Sequence, residues 1–367
     1  MAQDILRGNF DFNVDLFIFV LFVIVVFFLM FKVVPSLIIK ILHKSNPKEH
    51  NSSCSSCLLT IVSIVSIFGV FTASAYLYVE YKDSVKSKFY YHVSSNGIHY
   101  DIPKVGKKKA IVTSVKEGIY AIDIPEFVTY KNVKCPVIKI GEKAFKECYN
   151  LNSVVIGDSV RYICDNAFCY CSNLEYLKVK SGNPVYYSTD RCDAIILREY
   201  YGGKNYKKLT VGCANTIIPE DVTSIGDYAF SGRVNMTSIT IPSSVKDIGE
   251  SAFNSCYGLT SVTIPDSVIN IDSYAFYRCK NLTSVVISES VKGIYHMAFY
   301  GCNSLTDVYC YAKEPPSSWI PRSFDHQSPF DETFIKGHTT LHVPASSIER
   351  YRREAPWSQF KSIVAIE

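Results

Sequence analysis

The 367-residue sequence predicts a transmembrane helical hairpin followed by a mainly-β solenoid of 23-residue coils, each contributing one short strand. Two observations carry that prediction. Two long uncharged apolar runs lie near the N-terminus, and one motif recurs at a fixed period through the rest of the chain.

From Leu16 to Phe31 no residue is charged, and the run continues past Lys32 through Val33, Val34, Leu37, Ile38 and Ile39; a second uncharged run extends from Leu58 to Val79. Each approaches the ~20 residues a helix needs to cross the hydrocarbon layer, where backbone groups must be satisfied within the segment. The expected order is a tail at 1–15, transmembrane helix 1 at 16–40, a loop at 41–57 and transmembrane helix 2 at 58–79. A cleaved signal peptide fits the first run poorly, because only Arg7 precedes it, beside Asp4, Asp11 and Asp15. The second run is apolar all round and lacks the stripe of a globular amphipathic helix. Lys40, Lys44 and Lys48 in the loop favour a cytoplasmic loop with both ends outside, whereas Lys82, Lys86 and Lys88 pull the other way.

The motif is Ile-Gly-x-x-Ala-Phe. It starts at Ile225, Ile248, Ile271 and Ile294, and upstream at Ile140 and Ile163, with Asp272, Tyr295 and Cys164 in place of Gly in three frames and a period of 23 residues in each series (248 − 225; 163 − 140). After Ala252-Phe253 the inward positions are Cys256, Leu259, Val262 and Ile264, then Pro265, Val268 and the next Ile271. The alternation Leu259, Val262, Ile264 suits a short strand with one buried side, and Pro265, which lacks a donor, ends it. A period in the ~20 to 29 range with one strand per turn is the signature of a leucine-rich-repeat solenoid, whose stacked coils bury a core that no single coil could bury.

The full pattern, Ser-Ile-Gly-x-x-Ala-Phe-x-x-Cys-x-x-Leu-Thr-Ser-Val-Thr-Ile-Pro-x-Ser-Val, resembles the BspA-type leucine-rich repeat of surface proteins from Bacteroidales and some mucosal protists. The resemblance covers roughly residues 89 to 367. Gly182 to Tyr186, Cys192 to Ile196 and Val211 to Pro219 resemble an island that interrupts such repeats; Leu341 to Pro344, Tyr351, Trp357, Phe360 and Ile363 resemble the closing segment. The resemblance implies an adhesin-like recognition module that binds host matrix proteins or other cells and has no catalytic centre. Domains are then a β-rich N-terminal cap at 80–135, with Ile98, Tyr100, Ile102, Ile111, Ile122 and Ile124 on its strands, two repeats at 136–180, an island with a β-hairpin at 181–219, four repeats at 220–312 and a C-terminal cap at 313–367. Arg233 and Met236 depart from the pattern where other frames have Cys and Leu, and Tyr309-Cys310-Tyr311 replaces Thr-Ile-Pro in the last frame. Trp357 and Phe360 are expected to cover the open end of the core.

Thirteen cysteines raise the question of metal or redox chemistry. Cys148, Cys171, Cys256, Cys279 and Cys302 share one repeat position and are read as a structural ladder of buried thiols. Cys192 and Cys213 sit symmetrically about Gly202-Gly203; a hairpin turning there makes them either a cross-strand disulfide or two more buried thiols. Cys54-Ser55-Ser56-Cys57, with His50 upstream, has metal-ligand spacing but no second ligand pair, so no metal or cofactor is expected. The sequence contains no Gly-x-Ser-x-Gly, His-Glu-x-x-His, phosphate loop or Gly-x-Gly-x-x-Gly, which argues against an enzyme.

The 48% hydrophobic content supports real cores, and the net charge of +4, with one dense basic run at Lys107-Lys108-Lys109, makes no nucleic-acid footprint. On the strands, Ser238, Thr240, Ser261, Thr263, Ser284 and Val286 face solvent as a neutral hydroxyl-rich strip suited to a protein or glycan ligand. Tyr228, Tyr274 and Tyr295 are expected as exposed anchors beside it. Asn235-Met236-Thr237 and Asn281-Leu282-Thr283 are glycosylation acceptors in a luminal eukaryotic setting. The functional expectation is a membrane-anchored recognition protein with its repeats extracytoplasmic, periplasmic or at the cell surface; an envelope scaffold or sensor is the alternative.

Overall fold

Each coil brings apolar side chains to one interior line, and stacking the coils removes them from water. In the computed structural model, which describes residues 89–190, 192–318 and 328–366, Ile248, Ala252, Phe253, Cys256, Leu259, Val262, Ile264 and Val268 of one coil are all 3% exposed or less. Each large side chain so buried contributes roughly 1.5–3 kcal/mol. The expected tail, both transmembrane helices, their loop and the Cys54/Cys57/His50 group lie outside the described residues. Among the described residues no helix is long and apolar enough to cross a membrane.

Backbone ladders run along the stack on two sides. Two-residue strands at the motif Ile, Ser224–Ile225, Asp247–Ile248, Asn270–Ile271 and Gly293–Ile294, pair in parallel. On another side, strands of three or four residues form two separate parallel sheets. One holds Ala121–Asp123, Ser153–Ile156 and Tyr176–Val179; the other holds Ser261–Ile264, Ser284–Ile287, Asp307–Cys310, Thr340–Val343 and Ser362–Ala365. The solenoid thus already begins at Ala121, inside the segment expected to be cap. Ahead of it, Tyr90–Ser95 and Ile98–Pro103 form a hairpin around Asn96-Gly97, whose φ values of 51° and 77° make the left-handed two-residue turn that hairpins favour.

A third ladder lies at the Ala-Phe pair. Left-handed residues bracket it in the four later repeats: Tyr228 and Gly232, Ser251 and Ser255, Tyr274 and Arg278, Met297 and Gly301. This conformation costs a non-glycine residue about 1–2 kcal/mol. It is offset because the turn aims amides at the next coil: Phe230, Phe253 and Phe276 N–H donate to Ala252, Ala275 and Ala298 C=O at 2.7 Å each. The rings follow, stacked at 5.0, 5.0 and 5.1 Å from Phe230 through Phe253 and Phe276 to Phe299. Phe330 extends the stack although its sequence has left the repeat, and Trp357 and Phe360 close it edge-on.

The repeat cysteines are hydrogen-bond donors. Cys171, Cys256, Cys279 and Cys302 Sγ donate to the Phe145, Phe230, Phe253 and Phe276 carbonyls at 2.9, 3.2, 3.2 and 3.2 Å. Each thiol satisfies a buried acceptor of the preceding coil. Cys148 stands at the start of this ladder and is half-buried.

The island breaks the regularity. Asn183 anchors it, donating to Gly157 and Val160 C=O and accepting from Val185 and Tyr186 N–H. Strands Ala194–Tyr201 and Lys204–Gly212 form the expected hairpin about Gly202-Gly203. A bulge between Ile195 and Ile196 shifts the register to Ala194 against Gly212. Carried one step further, that register sets Cys213 against Asp193. A one-residue slip turns a side chain to the other face, so Cys192 and Cys213 pack into different core clusters as free thiols, and the symmetry about the glycines does not bring them together.

The island coil also lacks the Ala-Phe turn. Gly212 N–H donates to Ala229 C=O where other coils use Phe, and the Phe230 ring occupies the space a Gly212 side chain would fill. The preceding Phe carbonyl, on Phe168, is met by a longer side chain. Arg233 replaces the cysteine: fully buried, it donates through Nε to Gly212 C=O at 2.8 Å and through Nη1 to Phe168 and Ser231 C=O at 3.1 and 3.0 Å. This explains the departure seen in the sequence.

Two outcomes follow for urea unfolding of the chain. Arg233→Cys restores the repeat pattern yet lowers stability by roughly 2–4 kcal/mol, because the Gly212, Phe168 and Ser231 carbonyls lose the Arg233 guanidinium and a cavity opens; unchanged stability would refute the bridging role. Gly212→Ala lowers it by a similar amount, roughly 2–3 kcal/mol, through overpacking against Phe230, whereas Ser261→Ala on the exposed side of its strand shifts the midpoint by less than about 0.5 kcal/mol.

Candidate functional site

The two sheets of three- and four-residue strands do not meet. Between Tyr176–Val179 and Ser261–Ile264 lie the stretches 214–218 and 237–241, which occupy strand positions of their coils without joining either sheet. A cavity of about 710 Å³ opens there, lined by Glu175, Ala214 to Ile218, Glu220, Asn235, Thr237 to Thr240 and Pro242. Its size lies in the ~300–1,000 Å³ range typical of ligand sites.

Ser238 and Thr240, expected on the ligand face, are exposed on its wall. Ser261 and Thr263 are exposed on the adjoining sheet, and Ser284 is half-buried beside Ser261 in register. The strip continues through Asp307 and Thr340. There His342 Nε2 lies 2.8 Å from Asp307 Oδ1, which holds the Asp307 carboxyl below its ordinary range, and the His342 ring stacks on Tyr309 at 4.2 Å.

Tyr228, Tyr274 and Tyr295 are not exposed anchors beside this strip. They are half-buried in the turn around the Ala-Phe pair, and their hydroxyls are engaged between coils. Tyr228 bonds Glu250 at 3.4 Å, Tyr274 bonds His296 at 2.8 Å and Tyr295 bonds Asn270 at 3.1 Å. Sequence spacing shows that a residue repeats, but not that the left-handed turn folds its side chain back along the stack.

Several repeated hydroxyls are likewise rungs between coils. Thr260, Thr283 and Thr306 Oγ1 donate to Thr237, Thr260 and Thr283 C=O, and Ser244 and Ser290 donate to Val222 and Val268 C=O. The cavity wall differs in charge. Two carboxylates, Glu175 and Glu220, line it with no lysine or arginine, and Ile217 stands 67% exposed. Glu175, Glu220, Asn215 and Ile217 had no sequence signal, because Thr237 to Ile241 reads like any other repeat strand. What separates it is the shortened coil upstream.

The core thiols offer no reactive centre. Burial pushes Cys171, Cys213 and Cys256 up to about 12 and Cys169 and Cys310 up to about 11, so they stay protonated at neutral pH. Among the described residues no group of three or more His, Cys, Asp or Glu side chains is placed to hold a metal ion.

Residues 122–191 and 204–314 match the BspA type leucine rich repeat region in six copies. No curated protein matches the chain. Solved structures similar to it include a leucine-rich repeat protein from Bacteroides ovatus at 25% identity and TM-score 0.38, covering 70% of this chain and 60% of that one. The chain therefore spans less than two thirds of that protein's length. The pneumococcal vaccine antigen PcpA matches at 14% identity and TM-score 0.46, covering 76% of this chain and 98% of that one. A leucine-rich repeat protein from Eubacterium ventriosum matches at 19% identity and TM-score 0.40, covering 69% and 86%. The repeats of this chain over those residues are therefore of the BspA leucine-rich type.

Proposed function

We propose that this chain is a membrane-anchored recognition protein that holds its repeat domain outside the cytoplasm and binds a macromolecular ligand, a protein or a glycan, at the cavity between the two sheets. One observation carries the reading: where the sheet is interrupted, exposed Ser238, Thr240, Glu175 and Glu220 line a space large enough for a ligand, with one Glu175 carboxylate oxygen held by Asn152 Nδ2 at 3.0 Å. The remaining hydroxyl strip supplies a flat rim rather than a pocket. Membrane anchoring rests on the apolar runs Leu16 to Phe31 and Leu58 to Val79. The alternative, an envelope scaffold or sensor, draws on the free thiols, which are more usual in reducing compartments.

Two measurements test it. In intact cells a membrane-impermeant amine reagent is expected to modify Lys246, which is exposed; protection until lysis would move the domain inside and favour the scaffold or sensor. Against an array of matrix proteins and oligosaccharides, Thr240→Arg, which fills the cavity mouth, is expected to weaken binding by roughly 100-fold, while Ser261→Arg on the rim changes it by less than about fivefold. Equal loss from both variants would place recognition elsewhere.

A further inference from the structure

Thr237 to Ile241 reads Thr-Ser-Ile-Thr-Ile before Pro242, and Thr260 to Ile264 reads Thr-Ser-Val-Thr-Ile before Pro265. Nearly the same sequence has two fates. Ser261–Ile264 ladders fully to Ser284–Ile287. The backbone amides of Ser238, Ile239, Thr240 and Ile241 make no hydrogen bond among the described residues, and neither does that of Ile217 across the cavity. A stretch with strand-forming sequence therefore lines an open cavity with its ladder donors unused.

We propose that this cavity takes an extended peptide segment carrying a basic side chain, which lies along Thr237 to Ile241 and completes the sheet there. The inference deepens the recognition reading above and rests on it. Addition of a strand uses main-chain hydrogen bonds for affinity and alternate side chains for specificity, and unpaired strand edges are its usual template. Glu175 and Glu220, with no cation lining the cavity, complement a lysine or arginine. Ile217, 67% exposed, offers an apolar contact to a side chain two residues away on the same face of the peptide. No aromatic ring lines the cavity to stack on a sugar, so the chemistry favours peptide over glycan.

The test uses the full chain in detergent and hydrogen exchange read amide by amide. In the free protein the amides of Ser238 to Ile241 are expected to exchange fast, while those of Val285 and Ile287 are slow; slow exchange at Ser238 to Ile241 would remove the premise. The probe is a synthetic peptide of about seven residues alternating Val or Thr with Lys, a typical strand length. It is expected to bind with Kd below about 1 mM and to slow exchange at Ser238 to Ile241. Three changes are each expected to weaken it by roughly tenfold or more: Lys to Glu in the peptide, N-methylation of alternate peptide amides, and Glu175→Gln with Glu220→Gln in the protein. No saturable binding, binding without slowed exchange at Ser238 to Ile241, or equal binding of the N-methylated peptide overturns the inference. An N-acetylglucosamine oligomer that binds, and is lost with Thr240→Arg while the peptide does not bind, would keep the cavity as a recognition site and overturn the peptide assignment alone.

Discussion

The structure depends on one constraint: a coil of this repeat cannot satisfy its own backbone. Its short strands and left-handed turns send N–H and C=O groups along the stack, where only the neighbouring coil can answer them. The three ladders meet this need, and side chains fill what they leave. Cysteine thiols reach the phenylalanine carbonyls, threonine and serine hydroxyls reach others, and Arg233 spans the short island coil. The hydrophobic core supplies most of the driving force, but these polar rungs set the spacing and register at which the core can form.

Much of this was legible in the sequence. The period, the interior positions and the strand endings at proline follow from the alternation of apolar residues, since a coil that repeats its side chains must repeat its backbone. The turn at Gly202-Gly203 followed from glycine's access to positive φ. Two kinds of feature were hidden. The bulge at Ile195/Ile196 separates Cys192 from Cys213, and no residue type announces it. Tyr228 and Tyr274 are themselves left-handed, and Tyr295 stands two residues before left-handed Met297; spacing alone does not encode this handedness.

The candidate site was legible only by half. Ser238 and Thr240 could be named because they repeat, yet nothing in their own segment tells it apart from the laddered Ser261–Ile264. The difference is imposed from outside, by an island coil that omits a turn and leaves the following strand without a partner. The same omission makes Arg233 necessary. One irregularity upstream thus creates both a structural repair in the core and an opening on the surface, which ties the site to the interruption and not to the repeats.

The thiol ladder bears on how the protein tolerates its surroundings. Oxidation and disulfide exchange proceed through the thiolate. Burial pushes the thiols of Cys171 and Cys256 up to about 12, so they stay protonated at neutral pH. Cys171, Cys256, Cys279 and Cys302 are in addition engaged to backbone carbonyls of the preceding coil. Burial of thiols such as Cys171 and Cys256 therefore disfavours the thiolate through which oxidation and exchange would run.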